Sequence, residues 1–358
     1  MRIGIDGIPL AIPFPCGSKH YAEQLLNNLA QLDKKNEYII FSQKNVLIPI
    51  QKNFHLWKIP TYIPILKRQF FISYFVRKTK IDIFHNLEPF GSNFLDKTKV
   101  ITTIHDLDLN YTYPLIKYPV NRIYCEYLMR QTLNNTDFFI TDTKFISEKL
   151  INKITKKNVA KITKTIPLSH DSSFIWTNQV REKKILAMGD LAPRKNIVRV
   201  IEAFSYISKK YGYSLTIITS TIKAKRHFEA LVKLLAPNKK INVYVNVSTS
   251  ELVCLYNMAT CFIFPSLYEG FGLPILEAMA CGCPVITSNR GAMKEIAGDS
   301  ALLVNPESTN EIYQSMERLI CNPQLLETFS KKGLKRASTF SWTKTADETY
   351  KVYKSIYK

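Results

Sequence analysis

The stretch Glu269-Gly-Phe-Gly-Leu-Pro-Ile-Leu-Glu277 follows an apolar run, Cys261–Phe264, which is typical of a strand buried on both faces. Gly270 and Gly272 allow the backbone to approach a ligand closely, and Pro274 suits the first turn of a helix. The pattern therefore predicts a strand, a glycine loop and a helix N-terminus, whose free amide groups would face an anion or a polyhydroxyl ligand.

Two carboxylates flank this glycine loop. Glu269 falls in the loop and Glu277 in the predicted first helical turn, so both are placed to accept hydrogen bonds from hydroxyl groups. The pair suits a nucleotide sugar, with one carboxylate for the sugar and the other for the ribose. A plain glycine turn, with a solvated glutamate and a helix glutamate favoured by the dipole, explains the same spacing.

Outside this stretch, strand-like runs alternate with helical patterns along nearly the whole chain. The predicted strands are Arg2–Asp6, Tyr38–Ser42, Ile81–His85, Lys99–His105, Phe138–Asp142, Ile162–Pro167, Lys184–Met188, Ser214–Thr219, Ile241–Val247, Cys261–Phe264 and Val285–Thr287. The predicted helices include Tyr21–Leu32, Ile197–Lys209, Ser250–Met258 and Glu311–Leu319. Such alternation predicts the α/β class, with two Rossmann-like, doubly wound domains of parallel sheet.

A polar stretch, Ser169–Lys183, separates the two sets of strands and has the composition of a loop. We therefore predict an N-terminal domain over 1–172 and a second domain over 173–340. A helix over 341–358 is predicted to pack back on the first domain. Ligands of doubly wound sheets bind at the carboxyl ends of strands, so we expect an active-site cleft between two facing domains.

A second candidate loop is Gly189-Asp-Leu-Ala-Pro-Arg-Lys-Asn196, between the strand Lys184–Met188 and the helix Ile197–Lys209. Arg194 and Lys195 would lie where a diphosphate is held. The GxxxxGK[ST] pattern of a P-loop is absent. Two solvated basic residues are the alternative in so basic a chain.

Two weaker signals lie in the first half of the chain. His105 ends a predicted strand, although a single histidine is more often structural. Gly17 begins a glycine loop before the predicted helix Tyr21–Leu32, where a plain strand–helix turn is equally possible. Asp106 and Asp108 form a DxD pattern of the kind that binds metal–nucleotide complexes in other proteins. The basic pair at Arg194 and Lys195 makes a metal less necessary, so we expect no metal and no other cofactor.

The composition points to an intracellular globular protein. Seven scattered cysteines fit a reducing compartment, and neither a signal peptide nor a transmembrane run is recognised, so we expect a cytoplasmic protein. The net charge of +20 favours anionic partners, although genome base composition also enriches lysine. No nucleic-acid-binding motif is present, and nucleic acid is not an expected partner.

The loops together resemble the retaining glycosyltransferases of family 4, which have the GT-B fold. The resemblance is densest from Pro265 to Pro306, and includes the E-x7-E spacing of Glu269 and Glu277. It extends, in the same order, to Ile104-His-Asp106, Pro193-Arg-Lys-Asn196 and Phe340-Ser-Trp342. The Pro-Arg-Lys-Asn sequence is similar to that of mannosyltransferases in bacterial surface-polysaccharide assembly, a process that includes lipopolysaccharide synthesis. This similarity favours GDP-mannose as the donor.

The resemblance implies that the domain over 1–172 binds the acceptor and that the domain over 173–340 binds the donor, and it implies a role for each candidate residue. Arg194 and Lys195 would neutralise the leaving diphosphate, Glu277 would bind the ribose, and His105 would contact the transferred sugar. Glu269 would hold the sugar hydroxyls together with the amides of Gly270, Phe271, Gly272 and Leu273, and Gly17 would add a donor contact. Retention of anomeric configuration would follow from a front-side, oxocarbenium-like step without a protein nucleophile.

Three departures from the family pattern affect the first domain. The glycine loop reads Gly17-Ser-Lys-His-Tyr21 and lacks a usual second glycine, Thr143 stands where a serine is common, and Ile166-Pro-Leu-Ser-His170 lacks a usual glycine. Three other functions remain open: a non-catalytic nucleotide-binding homologue, a basic nucleic-acid-binding protein and a pyridoxal-phosphate-dependent phosphorylase.

The segment Trp57–Lys80 interleaves aromatic and basic residues and suggests docking on an anionic membrane that carries a lipid-linked acceptor. Its aromatic members are Trp57, Tyr62, Phe70, Phe71, Tyr74 and Phe75, and its basic members are Lys58, Lys67, Arg68, Arg77, Lys78 and Lys80. A core helix with a solvated basic face is the alternative. We therefore expect a cytoplasmic protein that is peripheral at the inner membrane face when docked.

Overall fold

The computed structural model describes residues 1–13, 16–59, 65–91, 95, 98–108, 119–154, 159–237 and 239–357, without the side chains of 65–71 and 119–121. The chain divides into two compact units, one of Met1–Leu168 with Ser341–Lys358 and the other of Ser169–Phe340. We call them unit 1 and unit 2.

The described strands of unit 1 form a parallel sheet in the order β3-β2-β1-β4-β5-β6-β7. They are β1 (Arg2–Asp6), β2 (Glu37–Ser42), β3 (Phe54–Lys58), β4 (Ile83–Asn86), β5 (Lys99–Ile104), β6 (Phe138–Thr141) and β7 (Thr163–Thr165). The helices between them are α1 (Gly17–Leu32), α2 (Ile65–Lys78), α3 (Pro119–Asn134) and α4 (Lys144–Lys153). The chain returns to this unit through α12 (Trp342–Tyr357), which packs on α1.

The described strands of unit 2 also run parallel, in the order β10-β9-β8-β11-β12-β13. They are β8 (Glu182–Met188), β9 (Ser214–Thr219), β10 (Ile241–Val245), β11 (Ala259–Phe264), β12 (Val285–Ser288) and β13 (Leu302–Val304). Its helices are α5 (Ile197–Tyr211), α6 (Ile222–Leu235), α7 (Thr249–Met258), α8 (Leu273–Ala280), α9 (Gly291–Ala297), α10 (Thr309–Ile320) and α11 (Pro323–Ala337). Both units are thus Rossmann-like α/β sheets, and the fold class predicted from the alternation is confirmed.

Buried apolar side chains on the strands and helices form the core of each unit. In unit 2, residues of β8, β9 and β11 such as Ile185, Ile217 and Ile263 pack with Phe204 of α5 and Met316 of α10, and all five are fully buried. Continuous apolar strands of this kind need cover on both faces of the sheet. This explains why the strand positions could be read from the sequence.

The differences from the predicted elements have local causes. β3 and the three-residue β13 were missed, because Phe-His-Leu-Trp-Lys mixes polar and apolar residues and Leu-Leu-Val is too short to form a long apolar run. The predicted boundary at 172/173 falls a few residues late. Residues after Leu168 belong to unit 2, where Thr177 N donates to Asn257 Oδ1 at 2.7 Å and Asn257 Nδ2 donates to Ile175 O at 2.9 Å.

Candidate active site

The turn after β8 carries the predicted basic pair. Pro193–Lys195 form one 3-10 turn, and Asn196 follows in the left-handed conformation with φ of 59° before α5 begins. Gly189 is required at the end of β8, because a Cβ atom there would lie 2.3 Å from Cγ1 of Ile197. The tight approach of strand and helix therefore fixes where Arg194 and Lys195 stand.

Asn196 holds this turn against two other loops, a role that the sequence analysis did not assign. Its Nδ2 donates to the carbonyl oxygens of Pro265, after β11, at 2.9 Å and Pro306, after β13, at 2.6 Å. Its Oδ1 accepts from Arg199 Nη1 at 2.8 Å. One buried amide thus joins three loops at the carboxyl edge of the unit 2 sheet, where a doubly wound sheet binds its ligand.

Glu269 brings the two predicted loops together through ion pairs. Its Oε2 lies 2.7 Å from Arg194 Nη1 and its Oε1 lies 2.8 Å from Lys195 Nζ, with all three side chains less than a fifth exposed. Burial opposes ionisation of Glu269, but Lys195 and Arg194 outweigh it and lower its pKa. The sequence analysis assigned Glu269 to the sugar and Arg194 and Lys195 to the diphosphate, whereas in the structure the three side chains pair with each other.

The glycine loop leads into α8 as predicted. Gly272 is the N-cap with φ of +98°, a conformation that strains any residue with a side chain, and Ile275 N donates to its carbonyl at 3.0 Å. The Phe271 side chain is buried and meets Phe340 edge-on with 6.3 Å between ring centroids, so its contact to a ligand would be through the backbone. Leu273 is the first residue of the helix.

Glu277 is the fifth residue of α8, so it lies in the second turn and not in the first. Although part of the residue reaches solvent, its carboxyl group is enclosed, and burial raises the pKa of Glu277 to about 7. Tyr256 Oη lies 3.4 Å from Oε2, and Asp171 raises the pKa further by repulsion. A carboxyl group in this state can donate or accept a hydrogen bond near neutral pH.

Buried hydroxyl groups at the same sheet edge were missed by sequence reasoning. The side-chain oxygens of Thr219, Ser266 and Ser288 are buried and make no hydrogen bond to the described residues. They fall at or just after the carboxyl ends of β9, β11 and β12. Single serines and threonines carry no sequence signal for such a role, and only the fold brings them to one edge.

In unit 1, His105 follows β5 and Asp142 follows β6. His105 Nδ1 lies 2.6 Å from Asp142 Oδ2, and the side chains are 18% and 2% exposed. Burial alone lowers the pKa of His105, but the Asp142 carboxylate outweighs it, and the pKa is raised. The predicted site residue thus has a buried acidic partner that the sequence analysis did not identify.

A chain of buried polar side chains runs beside this pair. The Tyr21 ring packs edge-on against His105 at a centroid distance of 4.6 Å, and Tyr21 Oη lies 3.0 Å from Thr103 Oγ1. Thr103 Oγ1 lies 2.8 Å from His85 Nε2, and His85 Nδ1 lies 2.7 Å from Tyr353 Oη on α12. This series of hydrogen-bonded side chains therefore connects α1, β5, β4 and α12 within unit 1.

Three other residues of unit 1 that the sequence analysis named, Gly17, Thr143 and Asp106, have local structural roles or none that requires the residue type. Gly17 is the first residue of α1, and a Cβ atom there would meet nothing within 4 Å, so packing does not require glycine. Thr143 caps α4 by accepting a hydrogen bond from Ile146 N at 3.2 Å, which a serine would also do. Asp106 Oδ1 accepts from Asp108 N at 2.8 Å, so this carboxylate stabilises its own turn.

The described residues show neither a metal-binding cluster nor a membrane-spanning helix. No cluster of three or more His, Cys, Asp or Glu side chains suited to a metal ion occurs among them. Independence of metal stays a prediction. None of the described helices is both long enough and apolar enough to cross a membrane.

Comparisons with known proteins find similarity to glycosyltransferases. Residues 170–336 match the family model described as glycosyl transferases group 1. O-antigen chain mannosyltransferase B of Escherichia coli is 27% identical over 272 residues, which cover 72% of this chain and 71% of that protein. The serotype-specific mannosyltransferase WbdA of the same species is 30% identical over 166 residues, 45% of this chain, and the match spans only 20% of WbdA.

Solved structures show the same fold at low sequence identity. Sucrose-phosphate synthase from Thermosynechococcus elongatus superposes with a TM-score of 0.80 at 20% identity, covering 100% of this chain and 99% of that one. Anabaena HepE, solved in complex with UDP-glucose, gives 0.76 at 14% identity, covering 99% and 100%. Residues 170–336 are therefore similar to group 1 glycosyltransferases, and the two parallel-sheet units have the GT-B fold.

Proposed function

We propose that the chain is a retaining hexosyltransferase that moves mannose from GDP-mannose to a glycan or lipid-linked glycan in polysaccharide assembly, without a metal ion. The observation that carries the proposal is the Glu269 ion-pair cluster with Arg194 and Lys195 at the carboxyl edge of the unit 2 sheet. Relatives named as O-antigen mannosyltransferases support the choice of mannose and of a surface polysaccharide.

The cluster suits departure of a nucleoside diphosphate. Two cations with less than a fifth of their side chains exposed would stabilise the charge that develops on the leaving phosphate, because they are already oriented by Glu269. The amides at the start of α8 would add hydrogen bonds to the donor, and Glu277 would bind ribose hydroxyls. These groups act by positioning and electrostatics, so no protein nucleophile is required.

The test is a transfer assay with the purified full chain, EDTA and a panel of nucleotide sugars that includes GDP-mannose and UDP-glucose. We expect GDP release and a mannosylated product only with GDP-mannose, and retention is read from the anomeric proton of the product by NMR. Loss of activity in EDTA with rescue by Mn²⁺ or Mg²⁺ would contradict metal independence and direct attention to Asp106 and Asp108.

The same preparation distinguishes the other functions. A donor that raises the melting temperature without being consumed would indicate a non-catalytic nucleotide-binding homologue. Retention of duplex DNA on filters at physiological salt would indicate a nucleic-acid-binding protein. Absorbance of a bound pyridoxal group would indicate a phosphorylase.

A further inference from the structure

The sheet register of unit 1 brings His105 and Asp142 together. Ile104 on β5 pairs with Thr141 on β6, and each strand is followed immediately by one member of the pair. Parallel neighbouring strands end side by side, so the two side chains leave the sheet at adjacent positions. The register of the two strands therefore determines the contact between His105 and Asp142.

The contact fixes which nitrogen of His105 carries a proton. Nδ1 lies 2.6 Å from a carboxylate oxygen whose side chain is almost fully buried, so Nδ1 is the donor. Nε2 is also buried and makes no well-formed hydrogen bond to the described residues, although the backbone of Leu87 lies beside the ring and favours its protonated form. The second oxygen of Asp142 likewise makes no hydrogen bond to the described residues. A protonated ring would then present Nε2–H to another molecule.

Groups on the other sides of the ring hold it in place. Tyr21 on α1 packs edge-on against it, and Tyr21 is itself tied to Thr103 on β5. The charged or titratable groups around the pair are Glu88 after β4, His85 on β4 and Asp106 beside His105. His85 stays neutral because burial lowers its pKa to about 3, so the acidic groups dominate the surroundings of His105.

We propose that Asp142 is the positioning residue that keeps His105 as an imidazolium, so that Nε2–H donates a hydrogen bond to the transferred sugar. The inference rests on the proposed function. A neutral ring with Nδ1–H facing Asp142 would turn Nε2 into an acceptor, so the charge on His105 decides the direction of the hydrogen bond. The carboxylate of Asp142 raises the pKa of His105 against the effect of burial, which agrees with this role. Burial also raises the pKa of Asp142, and attraction to His105 opposes that rise.

The first measurement needs no activity. Histidine carbons of the full chain are labelled with ¹³C, the His105 resonance is assigned with His105→Gln, and its titration is followed by NMR. The wild-type midpoint should lie above about 6.5, the ordinary value for histidine. Asp142→Asn keeps an acceptor for Nδ1–H but removes the charge, so its midpoint should fall by about one pH unit or more.

Two control variants accompany this titration. Tyr21→Phe keeps the ring contact, and Asp347→Asn removes a partly exposed carboxylate on α12, so both should leave the midpoint unchanged. A wild-type midpoint below 6.5, or an Asp142→Asn midpoint equal to that of the wild type, would overturn the proposal.

The second measurement follows transfer against pH. In the wild type kcat should fall as His105 loses its proton, and in Asp142→Asn this alkaline limb should move to lower pH with a KM for donor within a few-fold. A rate that rises as His105 deprotonates would make the imidazole a base and overturn the proposal. Absence of transfer by the wild type with every donor would overturn the proposed function instead, while the NMR midpoints remain interpretable.

Discussion

At the scale of single residues, Lys195 is the most direct test of the cation cluster. Its Nζ lies 2.8 Å from Glu269 Oε1 and 4.9 Å from the centre of the Phe264 ring. Lys195→Ala leaves Arg194 paired with Glu269, so we expect the fold to persist. The variant should lose about 2–4 kcal/mol of transition-state stabilisation, a fall in kcat/KM of about thirty- to a thousand-fold.

The control for Lys195→Ala is Lys225→Ala, which removes an ammonium group 3.9 Å from Glu229 on the surface of α6. That variant should keep wild-type kcat/KM, because an exposed pair of this kind contributes little. If Lys195→Ala retained activity within twofold of the wild type, the assignment of Lys195 to the leaving phosphate would be wrong.

Asn196→Asp tests the amide that joins three loops. The change keeps the size and the oxygen that accepts from Arg199, but it removes the donors to Pro265 O and Pro306 O. Two buried carbonyls lose their partner, so the free energy of unfolding should fall by about 2–4 kcal/mol in urea denaturation. Asn178→Asp is the matched control, because Asn178 is also left-handed, with φ of 53°, but is exposed. Equal stability of the two variants would contradict the role of Asn196.

Glu277→Gln separates stability from donor binding. The folded-state pKa of Glu277, about 7, lies above the ordinary value of 4.5, so ionisation penalises the folded state increasingly as pH rises through this range. The variant should therefore melt at a higher temperature than the wild type at pH 8, with little difference near pH 4.5. Its gain in melting temperature with GDP-mannose should shrink, and exposed Glu229→Gln should show neither effect. A lower melting temperature at pH 8 would argue against this account.

At the scale of elements, α12 is tied to the central sheet by one buried contact. Tyr353 Oη lies 2.7 Å from His85 Nδ1, and the other nitrogen of His85 meets Thr103. Tyr353→Phe leaves Nδ1 buried without a partner, so calorimetry should show a loss of about 1–3 kcal/mol in unfolding free energy. Tyr357→Phe, at a tyrosine that is 54% exposed on the same helix, should change nothing measurable. Similar stability of both variants would mean that the buried contact contributes little.

At the scale of the whole molecule, the net charge of +20 and the segment Trp57–Lys80 motivate a membrane test. Trp57 and Phe75 pack against the unit 1 core, with ring centroids 5.9 Å apart, so for these two aromatics the core interpretation is right. Tyr74 is 58% exposed, and the exposed basic residues are Lys58, Arg77, Lys78 and Lys80. Tyr62 and the side chains of Lys67, Arg68, Phe70 and Phe71 lie outside the described residues.

We expect the chain to float with anionic vesicles at low salt and to detach as salt screens the charges. The double variant Lys58→Glu, Lys78→Glu should float less than Lys233→Glu, Lys335→Glu, which changes the net charge equally at exposed positions of unit 2. Equal loss in both would indicate attraction to charge alone. Indifference of the wild type to anionic vesicles would indicate a soluble acceptor.

The sequence by itself determined the class of the fold and most of the unit 2 loops. Buried parallel strands must be apolar throughout, and glycine at a left-handed N-cap such as Gly272 has few substitutes, so both leave a local signal. The motifs that contain Arg194, Lys195, Glu269 and Glu277 could also be recognised in the sequence. Each motif leads from a predicted strand into a predicted helix, so its position follows from local signals.

Only the tertiary structure decided which of these groups meet. Glu269 binds Arg194 and Lys195 across 74 residues of chain or more, and Asp142 reaches His105 through the register of β5 and β6. Such contacts depend on the order of strands in a sheet, which a single sequence does not encode locally. The burial that raises the pKa of Glu277 and lowers that of His85 arises in the same way, because it depends on neighbours that are distant along the chain.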